Sequence, residues 1–179
     1  MTRLGTDHRL LLLRHAKSAW DEQGAADHDR PLAPRGERAA ELVAVFLAQR
    51  GPAPDLVLCS TALRTRQTLS RVLAHLAAPG RAPEVRYEHD LYLAEASELL
   101  ERLRAVPEPV GTVMLVGHNP GLEVLAARLA EQDDTGEMRR LHTGLPTGAL
   151  VDFSVANAWR DLAPGGARLE AFHRPKDLV

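Results

Sequence analysis

Three runs of consecutive apolar residues stand out along the chain, and each stops abruptly at polar residues. Leu10-Leu11-Leu12-Leu13 ends in Arg14-His15, the run Asp55–Cys59 ends in Ser60, and Thr112–Val116 ends in Gly117-His118. Short runs without polar alternation are the mark of strands buried on both faces. The first strand is expected from about His8 to Arg14. Glu84–Tyr87 reads as a further short strand. Thr147–Val155 and Ala167–His173 read as two more, separated by a turn at Pro164-Gly165-Gly166.

Between these runs the apolar period changes from two to about 3.6. Ala39, Leu42, Val43, Phe46 and Leu47 mark one face of a helix that stops at Gly51-Pro52. A second helix, capped by Ser60 or Thr61, buries Leu69, Val72, Leu73 and Leu76. Leu99, Leu100 and Leu103 mark a third. A fourth takes Asn119 as N-cap and Pro120 as its first residue, with Leu122, Leu125, Ala126 and Leu129 inward. Glu131–Leu145 reads as an exposed connector, and Ala16–Pro34 as a long polar loop. Strands alternating with helices predict a three-layer α/β/α sandwich, its sheet mainly parallel and covered by helices on both faces. The last two strands have no helix between them, which predicts one antiparallel edge strand. No linker divides the chain, so residues 1–179 are expected to form a single domain.

Composition narrows the function classes. The 179 residues are 45% hydrophobic and 26% charged with a net charge of −2, so no global field favours nucleic acid or an anionic membrane. Aromatics at 4% leave little for base stacking. The single Cys59 cannot form an intrachain disulfide or a multi-cysteine metal site and suits a reducing compartment. The apolar run after the polar start is too short for a membrane span or a signal-peptide core. A cytoplasmic protein is expected.

Parallel strands place their carboxyl ends along one edge of a sheet, where ligands meet such folds. Arg14 and His15 follow the first strand, Arg64 opens the helix after the second, and His118 follows the fourth. Alone, each is an ordinary solvated or packing residue. Together they form two forked cations and two imidazoles beside helix N-termini, a set suited to a tetrahedral dianion such as phosphate.

The same residues carry a resemblance. Arg14-His15-Ala16-Lys17-Ser18, with Asp21 three residues on, is similar to the signature of the histidine phosphatase (phosphoglycerate mutase-like) superfamily, with Ala16 for a glycine and Asp21 for an asparagine. Ser60, Arg64 and Thr68 match its second block and Gly117-His118 its third, in the same order, over His8 to about Val155. Asp29-Arg30-Pro31-Leu32 followed by Arg35-Gly36 resembles a stretch of the SixA-like phosphohistidine phosphatases, although it can equally serve to steer the loop into the first helix. Only 53 residues separate Arg64 from His118, too few for the large cap insertion of mutases.

The resemblance implies a phosphatase that needs no cofactor or metal. His15 would be the nucleophile, with Arg14, Arg64 and a protonated His118 holding the phosphoryl oxygens, and with Ser18 and Asp21 binding substrate or fixing the loop. The leaving-group acid stays open: Asp90 stands in the family's place, Glu88 is an alternative, and Asp21, Asp29 or no acid at all are further ones. Asp90 can equally cap the turn into the third helix. Phosphorylated histidine of a protein is the expected partner, a small phosphate ester the alternative, and a phosphate-binding module without catalysis the third reading. His28, between Asp27 and Asp29, is the nearest approach to a metal-site spacing and reads as a solvated loop.

Overall fold

The computed structural model describes residues 8–20, 24–76, 82–131 and 135–179, and its sheet is built on the leucine run. In β1 (His8–Arg14) all four leucines have no exposed surface. Side chains alternate across a strand, so Leu10 and Leu12 join the apolar cluster on one face and Leu11 and Leu13 that on the other. At about 2 kcal/mol for each buried leucine, β1 is a principal anchor of both layers.

Five more strands complete one sheet: β2 (Leu56–Ser60), β3 (Glu84–Glu88), β4 (Thr112–Gly117), β5 (Leu150–Val155) and β6 (Arg168–His173). Their order is β3-β2-β4-β1-β5-β6. The first four strands of the chain run parallel, β5 pairs antiparallel with β1, and β6 antiparallel with β5. The antiparallel pairing therefore lies at the end of the sheet where it was expected. The reversed strand is β5, one place in from the edge: the chain enters it antiparallel to β1 after α4 and α5, and the short connection to β6, which holds no α-helix, turns it back again.

Helices α1 (Pro34–Arg50) and α2 (Leu63–Leu76) cover the Leu11/Leu13 face. Helices α3 (Ala96–Arg104), α4 (Gly121–Leu129) and α5 (Gly136–Leu141) cover the other. The sandwich thus has the three layers the sequence predicts.

Four local expectations change. Helix α1 buries Gly36, Ala40, Val43, Ala44 and Leu47, leaving Leu42 and Phe46 half-buried. The small Ala40 and Ala44 let the helix approach the sheet and α2, which rotates the inward face. Helix α2 starts at Leu63, since β2 runs on to Ser60 and the Thr65 hydroxyl bonds the Ser60 and Ala62 carbonyls at 2.8 and 2.7 Å. Helix α4 starts at Gly121, and the Asn119 amide is spent on Glu123 and the Leu145 carbonyl rather than on a cap. The expected connector contains α5, capped by Thr135, with Met138 and Leu141 buried.

Candidate active site

The parallel direction of β1, β2 and β4 brings Arg14-His15, Ser60 and Gly117-His118 to one edge of the sheet. Adjacent strands lie about 5 Å apart, so side chains from three distant stretches meet there. His15 and His118 are buried, their ring centroids 5.2 Å apart. The Arg64 guanidinium, also buried, reaches both: Nε lies 3.4 Å from His15 Nε2 and Nη2 3.3 Å from His118 Nδ1.

Those contacts fix both tautomers. His15 Nδ1 lies 2.7 Å from the Ala16 carbonyl, which can only accept, so Nδ1 carries the proton and Nε2 the lone pair. A guanidinium can only donate, so His118 Nδ1 carries a lone pair and Nε2 donates to the Ser60 hydroxyl at 2.8 Å. Two imidazole lone pairs therefore face one guanidinium. Burial, reinforced by the Arg64 and Arg14 cations, pushes His15 down to about 4. Burial, then the neighbouring His15 and Arg64, pushes His118 down to about 3. Both rings are neutral near pH 7. In the anion-free pocket, charging His118 would add a cation to a buried cationic cluster.

Arg14 donates through Nη1 to the Leu145 carbonyl at 2.8 Å, while its buried Nε has no partner among the described residues. A buried unpaired donor costs about 1–3 kcal/mol. An anion in the pocket would relieve it.

Helix α2 also sets the His15 loop. The Thr68 hydroxyl donates to the Arg64 carbonyl at 2.7 Å and accepts from the Ala16 amide at 3.0 Å. Ala16 is thereby clamped through its N–H by Thr68 and through its carbonyl by the His15 ring. Its methyl packs with Leu32 and Ala40, and its φ is not positive, so alanine serves where the family pattern has glycine. Gly148, at φ +76, can turn its amide onto the Arg14 and His15 carbonyls from the opposite side.

Of the remaining sequence candidates, Ser18 is buried, and its hydroxyl accepts from Arg30 Nη2 at 2.9 Å, so it fixes the loop. Asp21 lies outside the described residues. Glu88 is gripped by Arg102 through two 2.7 Å bonds, and Asp29 faces solvent beside His28. Asp90 is exposed in the 3-10 turn His89–Leu91 and has no hydrogen bond or ion pair among the described residues. None of these three carboxylates bonds the His15–Arg64–His118 cluster.

The carboxylate that does is Asp27, which sequence reasoning left in a solvated loop. In the 3-10 turn Asp27–Asp29, its carbonyl accepts from Arg64 Nη1 at 2.6 Å and its Oδ2 from Arg64 Nη2 at 3.0 Å. Oδ2 also accepts from the Tyr92 hydroxyl at 2.5 Å and Oδ1 from Arg30 at 3.0 Å. The Tyr92 hydroxyl, Arg64 and Arg30 hold this carboxyl well below the usual carboxylate range. Tyr92 itself stands edge-on to His118, with ring centroids 5.4 Å apart. The available signals were the Asp27/Arg30 spacing of three and a tyrosine in a chain poor in aromatics.

The Arg30-Pro31-Leu32 stretch is structural in detail. Arg30 bonds Ser18, Ala19 and Asp27, and the Leu32 amide donates to Gln67 at 2.7 Å. Gly36 lets the first turn of α1 rest on the Lys17 carbonyl, since a Cβ there would come within 2.0 Å of that oxygen. Cys59 is buried inside β2, where desolvation raises its thiol to about 12, so it is inert. Among the described residues no group of three or more His, Cys, Asp or Glu side chains is arranged to hold a metal ion.

Comparison with known proteins gives concordant matches. The family model of the histidine phosphatase superfamily (branch 1) matches residues 10–91. An uncharacterized protein of Mycobacterium tuberculosis is 43% identical over 166 residues, covering 92% of this chain and all of the relative. A solved structure of a SixA-type phosphohistidine phosphatase from Nakamurella multipartitia superposes with a TM-score of 0.81 at 35% identity, covering 94% of this chain and 96% of that one. The protein histidine phosphatase SixA complexed with tungstate shares the fold, with a TM-score of 0.76 at 23% identity over 96% of this chain and 99% of that one.

Proposed function

Since the chain belongs to the histidine phosphatase superfamily, in its SixA-like branch, we propose that it is a phosphohydrolase acting through a phosphohistidine formed on His15, with protein-borne phosphohistidine as its substrate. The observation that carries this reading is the lone pair of His15 Nε2, held toward the Arg64 guanidinium by the Nδ1–Ala16 bond. A neutral imidazole oriented in this way is a competent nucleophile at neutral pH.

In the proposed reaction the phosphoryl group lies against Arg64 and Arg14 Nε, with its phosphorus in line with His15 Nε2. The Nε2–P bond forms as the bond to the leaving group breaks, and charge on the equatorial oxygens is met by both guanidiniums. The dianion reverses the field at His118, whose Nδ1 then takes a proton and donates to an oxygen. Water next attacks phosphorus, the Nε2–P bond breaks, and neutral His15 and inorganic phosphate are regenerated.

The substrate preference follows from the leaving group. Asp27 is held ionised, so it is a poor proton donor. An alkoxide leaving group needs such a donor, whereas the imidazole of phosphohistidine is protonated readily by solvent. Asp27 acts instead as a positioning residue for Arg64.

The test is to rank kcat/KM for a phosphohistidine peptide against a panel of sugar phosphates, with the His15→Ala protein alongside. The phosphohistidine peptide should lead and His15→Ala should be inactive. A sugar phosphate in the lead would make the protein a small-molecule phosphatase. Binding of these compounds without turnover would make it a binding module.

A further inference from the structure

Beside the pocket at the same sheet edge lies a second cavity of about 620 Å³, lined by four cations, Lys17, Arg35, Arg174 and Lys176, against one carboxylate, Glu123. Its position follows from the topology. The N-terminal end of β5 and the C-terminal end of β6 lie at the edge where β1 ends, so residues 143–147 and 174–176 flank His15 on the side away from β2. Strand β6 is two places from β1, so residues 174–176 lie roughly 10 Å from the end of β1 that carries His15. The Leu145 carbonyl, in the wall of the second cavity, is the one that Arg14 bonds.

The charges of this cavity are not matched internally. Among the described residues Lys17, Arg35 and Lys176 have no carboxylate partner; Arg38, Arg50, Arg66 and Arg128 share this, but none of those four lines the cavity. Arg174 is paired with Asp177, and Glu123 Oε2 is taken up by the Asn119 amide and the Leu145 N–H. The chain as a whole is slightly acidic, so this concentration of positive charge is local.

We propose that this cavity is an anion subsite that binds a second acidic group, carboxylate or phosphate, of a substrate whose phosphoryl group occupies the His15 pocket. The inference rests on the proposed phosphatase reading and adds a substrate class to it: phosphorylated compounds with another anionic group roughly 10 Å from the reacting phosphorus. An acidic residue near a phosphohistidine and the second phosphate of a small bisphosphate share this chemistry.

The test compares Arg35→Ala/Lys176→Ala with the parent protein on two matched pairs. One pair is a phosphohistidine peptide with glutamates flanking the phosphorylated residue and the same peptide with glutamines. The other is a sugar bisphosphate and its monophosphate. In the parent, the acidic member of at least one pair should be favoured on the order of tenfold in kcat/KM, carried by KM, as expected for two partly exposed charge contacts. The double variant should abolish that ratio and leave the glutamine peptide and the monophosphate unchanged. The responding pair identifies the source of the anion. Equal rates within both pairs in the parent, a ratio that survives in the variant, or equal losses on all four compounds would overturn the subsite. If the parent hydrolyses none of the four, the phosphatase reading fails. Binding of the same compounds to His15→Ala, with and without the double variant, then decides the subsite by the same ratio.

Discussion

The floor and the rim of the pocket are built differently. On the floor, His15 and His118 are buried, and the backbone and a strand-end hydroxyl saturate their outer nitrogens. The rim consists of two three-residue 3-10 turns, Asp27–Asp29 and His89–Leu91 with Tyr92 after it, joined by exposed or half-buried side-chain bonds: Tyr92 to Asp27, and His28 to Thr61 to His89. Floor groups move only if the sheet moves. Rim groups are held by contacts that individually contribute little in water. The orientation a nucleophile needs is therefore placed on the floor, and admission of substrate is left to the rim.

If this division is right, damage to the floor should cost far more than damage to the rim. The largest effect is expected for His15→Ala, with turnover falling at least about 10³-fold, and Arg64→Ala should cost about 10²–10³-fold. Single-turnover rates would check both. A loss of tenfold or less in His15→Ala would break the comparison.

The pH profile reports on the same floor. Protonation removes the His15 lone pair, so by NMR the His15 ring of the substrate-free protein should stay neutral down to about pH 5 and titrate near 4. A titration near 6.5 would mean that His15 is not shielded as described. Stability carries the matching sign. His15 and His118 have folded values below the ordinary 6.5, so the unfolded chain takes protons first. Their stabilisation is full above pH 6.5 and is lost as pH falls through 6.5 towards 4.

Anion binding should involve His118. Sulfate stays fully ionised at neutral pH, so any proton taken up when it binds belongs to the protein. Calorimetry in buffers of different ionisation enthalpy should show uptake at pH 7, and His118→Gln should abolish it. Sulfate binding without uptake would leave His118 neutral throughout.

Two smaller effects sharpen the contrast. Thr68→Val leaves the buried Ala16 N–H without its acceptor and should cost about 1–3 kcal/mol in urea unfolding. On the rim, Asp27→Asn removes an anion that competes for Arg64, so sulfate should bind up to about tenfold tighter. Weaker sulfate binding would show that positioning Arg64 outweighs competition for it.

The same division explains what was legible in the sequence. Arg14, His15, Arg64 and His118 follow strands whose apolar runs fix their position, so hydrophobic pattern and topology alone brought them to one edge. Asp27 has no periodicity to place it, because its role depends on how a 3-10 turn folds over Arg64, a tertiary fact. Asp90 drew attention through the resemblance and lies exposed, outside the cluster's hydrogen bonds. Helix α5 was hidden because Met138 and Leu141 give only one turn of apolar spacing in a polar stretch. The inward face of α1 was misjudged because alanines, weak as hydrophobic signals, are what permit its close packing.

The most direct test of the account is to trap the phosphorylated protein. After rapid quenching with a phosphohistidine peptide, acid-labile, base-stable phosphate should appear on the parent, map to His15, and be absent from His15→Ala. Turnover with no phosphate on His15, or phosphate on another residue at the same level, would contradict the assignment of His15 as the group that accepts the phosphoryl.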